Sequence, residues 1–148
     1  MRQVRQMVDA LLHIASLQKK AQHQEVLDDT GDLLAQLLGL KANLAERMSP
    51  QTLEMVLLQG GRFDLNRSLI CGALLAARFN SHRRLGSTGT ALQVSKLVRM
   101  LQKQTKAALA LNQENRHVHE DNDVKNRARE EQMLLLEQME NELGTESV

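Results

Sequence analysis

Apolar residues recur along this chain at helical spacing, and glycine, proline or polar breaks separate one run from the next. Val4, Met7, Val8, Leu11, Leu12 and Ala15 form one face of a helix predicted from Val4 to Lys20. After a polar turn, Val26, Leu27, Thr30, Leu33, Leu34, Leu37 and Leu38 mark a second helical face. Gly39 stands where a helix ends in a left-handed residue, with Leu40 placed to fold back on the cap. These two helices read as an antiparallel hairpin. A short helical piece, Lys41 to Met48, carries Leu40, Leu44 and Met48 on one side. Ser49-Pro50 then restarts the helix, serine as N-cap and proline in the first turn. Leu53, Val56 and Leu57, with Met55 or Leu58, follow up to the break at Gly60-Gly61.

Asp64 caps the next predicted helix, which presents Leu65, Leu69, Ala73, Ala76 and Ala77 beside Gly72. Such small side chains predict a close helix crossing. Leu85 to Gly89 breaks this helix, and Thr90 opens the longest one, with Ala91, Val94, Leu97, Val98, Leu101, Thr105 and Ala108 facing inward. Residues 112–122 read as a polar linker. A last helix, from about Asp123 to Leu143, gathers Val124, Ala128, Leu135, Leu136, Met139 and Leu143 on a narrow, interrupted stripe. The prediction is an all-α chain: a hairpin domain at 1–111, the linker, and an amphipathic acidic helix within 123–148.

Composition supports this reading. The chain has 27 leucines and seven methionines but two phenylalanines and no tryptophan or tyrosine, a core stock of helix formers. The single cysteine, Cys71, excludes an internal disulfide and sits in an apolar run that predicts a buried, inert thiol. No apolar run approaches the roughly 18–20 residues that span a bilayer, and no signal-peptide core opens the chain. A cytoplasmic protein without membrane contact is the expectation.

Net charge is +1, but the charges are segregated. Residues 1–64 carry seven Lys/Arg and eight Asp/Glu; residues 65–113 carry eight Lys/Arg and no acid; residues 114–148 carry four basic and ten acidic residues. Lys96, Arg99, Lys103 and Lys106 fall at i, i+3, i+7 and i+10, on the side of the long helix opposite Val94, Leu97 and Leu101. Arg78, Arg83 and Arg84, with His82, lie upstream and extend the basic surface across the hairpin. A solvated face is the ordinary meaning of such a stripe, yet ordinary surfaces mix both signs. The seven basic residues are the candidate binding surface for an acidic protein segment. The chain's own acidic helix, with Glu130, Glu131, Glu137, Glu140 and Glu142, is the nearest such segment. It is expected to pack on the basic hairpin, or to join two copies as a homodimer through Val124, Ala128, Leu135, Met139 and Leu143; a solvated appendage is the third option.

Other chemistries find little support in the residues. Nucleic acid is the rival ligand for the basic stripe, but stacking aromatics and recognition motifs are missing. His117-Val-His-Glu-Asp-Asn-Asp123 has metal donors, yet histidines two apart on a helix do not converge. Asp28, Asp29 and Asp32 suit the positive end of a helix dipole. Ser87-Thr-Gly89 lacks the Gly-Lys ending of a phosphate loop. No cofactor, metal or catalytic residue is assigned, and a non-catalytic role is expected.

The succession of hairpins and glycine-marked turns resembles the tetratricopeptide-repeat superfamily, and more specifically a group of small bacterial tetratricopeptide-like proteins of unassigned function. The likeness lies in Met1 to Met7, Gln22 to Leu27, Leu37 to Leu40, Leu53 to Leu58, Leu85 to Ala91 and Ala107 to Leu111, and covers residues 1–111. His23 and Val26 stand where the repeat of about 34 residues places an aromatic and an alanine, and Phe79 where a small residue is usual. The resemblance implies a stack of two hairpins and a protein-binding scaffold or adaptor, with no catalytic residues to carry over.

Overall fold

The computed structural model describes residues 2–59, 62–114 and 122–144. The chain is all-α, with helices α1 (Arg2–Lys19), α2 (His23–Leu38), α3 (Ala42–Arg47), α4 (Pro50–Leu57), α5 (Leu65–Arg84), α6 (Thr88–Glu114) and α7 (Asn122–Gly144). Between α4 and α5 the two-residue strands β1 (Leu58–Gln59) and β2 (Arg62–Phe63) pair antiparallel, Leu58 opposite Phe63. The long helix α6 starts two residues before the expected Thr90 and runs into the expected linker as far as Glu114; the linker's residues 115–121 lie outside the described residues.

Local chemistry sets the helix ends. Ser49 Oγ accepts the Thr52 backbone N–H at 3.2 Å with Pro50 in the first turn, and Asp64 Oδ1 accepts that of Arg67 at 3.1 Å. Gly39 takes the left-handed conformation (φ 71°) and its N–H reaches Ala35 O at 2.9 Å. Helix α5 ends in a Schellman turn in which Ser87 N–H meets His82 O and Gly86 N–H meets Arg83 O, with Gly86 at φ 85°. The same double bond pattern closes α1, Gln22 to Leu17 and Ala21 to Gln18, but there the left-handed position is held by Ala21 at φ 57°.

The core is built around α5. Every residue from Ser68 to Phe79 is buried, on all sides of the helix. A helix apolar all round belongs inside, and Leu69-Ile-Cys-Gly-Ala-Leu-Leu-Ala-Ala supplies that surface. Helices α1, α2, α6 and α7 each pack against it. The expected stack of hairpins gave α5 a single inward face, Leu65, Leu69, Ala73, Ala76 and Ala77; in the fold it has none that looks out over this stretch. Burial of Cys71 is as the apolar run predicts, and desolvation pushes its thiol up to about 12 although the charge of Arg67 acts the other way.

The outer helices show which predicted stripes hold. Helix α6 buries Ala91, Val94, Leu97, Val98, Leu101 and Thr105 as read. Helix α2 buries Val26, Thr30, Leu34 and Leu38, with Leu33 and Leu37 against the flank of the core. Helix α1 is rotated from its expected orientation: Leu11, Ile14 and Leu17 are buried, whereas Leu12 is exposed. The side chains of Val4, Met7 and Val8 lie outside the described residues. In α3, Ala42, Ala45 and Glu46 face inward and Leu44 outward. Among the described residues, no helix is long and apolar enough to cross a membrane.

Helix α7 docks on the bundle. Asn66 meets Gln132 and Gly72 meets Met139, pairs that advance together, so α7 runs parallel to α5. Leu135 and Met139, read as residues that could join two copies, are 2% and 0% exposed inside this chain, where they pack within the bundle. The side chains of Val124, Ala128 and Leu143 lie outside the described residues.

Candidate functional site

The basic surface read from the sequence divides into three sets. Lys96, Arg99, Lys103 and Lys106 project from one side of α6 and are exposed, as their spacing predicts. Lys106 Nζ lies 2.6 Å from Glu140 Oε1 of α7, both side chains about half exposed. Arg83 and Arg84 sit on the last turn of α5. The Arg83 guanidinium carbon stands 6.0 Å from the Phe79 ring centre, and its Nη2 donates to Asn80 Oδ1 at 3.4 Å. Burial pushes the Glu142 carboxyl up to about 7, while a hydrogen bond from Gln18 and the charges of Arg83 and Arg84 pull the other way. The carboxylates of α7 thus reach α6 at Glu140 and α1 at Glu142, the latter within the field of Arg83 and Arg84.

Arg78 belongs to neither set, which corrects its assignment to the binding surface. It is 7% exposed and its guanidinium is consumed inside the protein. Nε and Nη2 both donate to Glu46 Oε1, the first at 2.9 Å, while Nη1 donates to Leu27 O at 2.6 Å and Thr30 Oγ1 at 3.1 Å. Thr30 Oγ1 in turn donates to Val26 O at 2.6 Å. His82 Nε2 lies 2.6 Å from the other oxygen, Glu46 Oε2. A β-carbon at Gly31 would stand 3.3 Å from Arg78 Nη1, so the glycine leaves room for the guanidinium. One arginine therefore ties α2, α3 and α5 together, and both carboxylate oxygens have partners.

This network has a pH signature. Burial alone would raise the Glu46 carboxyl, but hydrogen bonds from His82 and Arg78 and their charges outweigh it, holding the group below its usual value near 4.5. A carboxyl lowered by folding adds stability above its unfolded value and loses it as pH falls through the depressed native value. The urea midpoint is therefore expected to fall as pH drops below about 4.5, and to fall less steeply in Glu46→Gln. An equal acid slope in both proteins would refute this account.

Several cavities flank these elements. One, of about 410 Å³, opens over Glu46, Arg78 and His82 and is rimmed by Asn43, Arg47 and Thr90. Another, of about 490 Å³, is a largely apolar groove between α1 and α7 with Leu11, Leu12, Leu134 and Leu135 along it. Among the described residues, no group of three or more His, Cys, Asp or Glu could hold a metal ion. The histidines of the His117–Asp123 run lie outside the described residues.

Sequence reading did not identify Glu46 or Thr30 as partners of Arg78, nor Met139 as the partner of Gly72. One clue existed for the first: an arginine inside the apolar run of an acid-free segment must find its carboxylate elsewhere in the chain. The second is a matter of contact. A β-carbon at Gly72 would collide with Met139 Sδ and stand 3.2 Å from its Cε, so the methionine, as it is placed, fills the space beside the glycine. No protein-family model, no curated protein and no solved structure matches this chain.

Proposed function

We propose that this protein is a non-catalytic interaction module, a small adaptor or scaffold that presents the α6 ridge of Lys96, Arg99, Lys103 and Lys106 to an acidic protein segment. The observation that carries the reading is the seating of the chain's own acidic helix at the edge of that ridge, through Lys106 and Glu140. Charge complementarity of this kind speeds encounter and selects sign, while adjoining apolar contacts hold the complex. The resemblance read from the sequence of residues 1–111 to tetratricopeptide-like proteins implies the same class of function. Nucleic acid is the alternative ligand for the same cations. Fluorescence anisotropy with a labelled glutamate-rich peptide, in competition with single- and double-stranded oligonucleotides, separates the two. The peptide is expected to bind, and Lys96→Glu with Lys103→Glu to weaken it on the order of tenfold. Displacement of the peptide by oligonucleotide at sub-stoichiometric concentration would overturn the proposal in favour of nucleic acid.

A further inference from the structure

We infer that α7 is an internal stand-in for the partner: the acidic segment that this protein recognises is an amphipathic helix carrying leucine, then methionine four residues on, then glutamate, and it replaces α7 on α5 and α6. The inference rests on the proposed function and names the partner class for that surface.

The seat of α7 is specific in shape and in charge. Met139 enters the Gly72 notch, Leu135 one turn earlier is buried, and Glu140 reaches Lys106. Gln132 Nε2 adds a hydrogen bond to Asn66 Oδ1 at 2.8 Å. The unbranched thioether of Met139 adapts its shape to the notch it enters, so methionine suits an incoming helix better than a stiffer side chain. An exposed ion pair such as Lys106–Glu140 contributes little by itself, so the leucine and methionine anchors carry the grip and the charge sets the register.

The same helix fits its seat imperfectly. Met133 and Leu134 remain exposed, Gln138 Nε2 is buried with no hydrogen-bond partner among the described residues, and a groove lies open beside α1. A buried amide without a partner costs docking free energy that a better-matched helix would not spend. Tethering compensates, since a helix joined by a short run of chain acts at a high effective concentration. A partner helix in trans therefore has to outcompete a weak but tethered occupant, which makes α7 an autoinhibitory cover.

The test uses the full-length chain and a labelled synthetic peptide of Glu130 to Gly144. Met139→Asp places a carboxylate in the notch and should release α7; folding of the variant is checked by its helical circular dichroism and thermal transition. The peptide is expected to bind this variant at least about tenfold more tightly than the unaltered chain. In the unaltered chain, saturating peptide is expected to raise hydrogen exchange across α7, a readout that stands even if Met139→Asp folds poorly. Equal affinity for both chains with no change in α7 exchange would overturn the inference while leaving acidic-segment binding intact. Equal binding of a control peptide with serine at the Leu135 and Met139 positions would overturn the amphipathic partner and leave recognition by charge alone. Failure of both peptides and of the glutamate-rich peptide would overturn this inference and the proposed function together.

Discussion

Substituting Arg78 with methionine is expected to lower the stability of the fold by about 3–5 kcal/mol, read as a drop in the urea midpoint at neutral pH. The size follows from what remains behind. Glu46, 4% exposed, would lose both hydrogen bonds to the guanidinium and keep only His82, while Leu27 O and Thr30 Oγ1 would each lose the bond from Nη1. An uncompensated buried carboxylate costs more than the ion pair contributes over an apolar substitute. The double substitution Arg78→Met with Glu46→Leu should therefore recover much of the loss, because no charge is then stranded. A double variant as unstable as the sum of the two singles would show that Arg78 acts through packing alone.

Substituting Gly72 with leucine should cost about 1–3 kcal/mol and drive α7 from the bundle. The side chain would enter the space that Met139 occupies, where even a β-carbon meets Sδ. Hydrogen exchange should register the change as faster exchange along α7, with α6 retaining most of its protection. Gly72→Ala is a milder test, since the thioether end can swing aside and alanine favours the helix by roughly 1 kcal/mol. Combining Gly72→Leu with Met139→Ala returns volume to the notch and should be less damaging than the two losses added together. Simple additivity would place the strain elsewhere.

Periodicity, caps and charge were legible along this chain, and three-dimensional pairing was not. The α6 stripe, the Ser49-Pro50 start, the Asp64 cap and the Gly39 stop depend on residues within one or two turns, so spacing alone locates them. The end of α1, expected at Lys20 and found at Lys19, is legible from its polar turn even though Ala21, rather than a glycine, holds the left-handed position. Leu12 was assigned to the wrong face because Leu11 and Leu12 are equally apolar, and only the packing against α5 decides between them. The same holds for α5 itself: Leu69 to Ala77 fits one face of a helix or all of them, and the number of neighbours chooses. Of the candidate site, the α6 cations were readable from their i, i+3, i+7 positions. The removal of Arg78 from that set was not, since its carboxylate lies 32 residues away on a short helix whose apolar pattern pointed Leu44 inward.

The burial of α5 on every side also governs how such an architecture can vary. An open array lengthens by adding a hairpin at its end, because the terminal unit still has an uncovered flank. Here the middle of α5 is already enclosed by α1, α2, α6 and α7. Duplicating a hairpin would find no vacant side on that helix, so diversity in this architecture must come from exchanging an enclosing helix rather than extending the row.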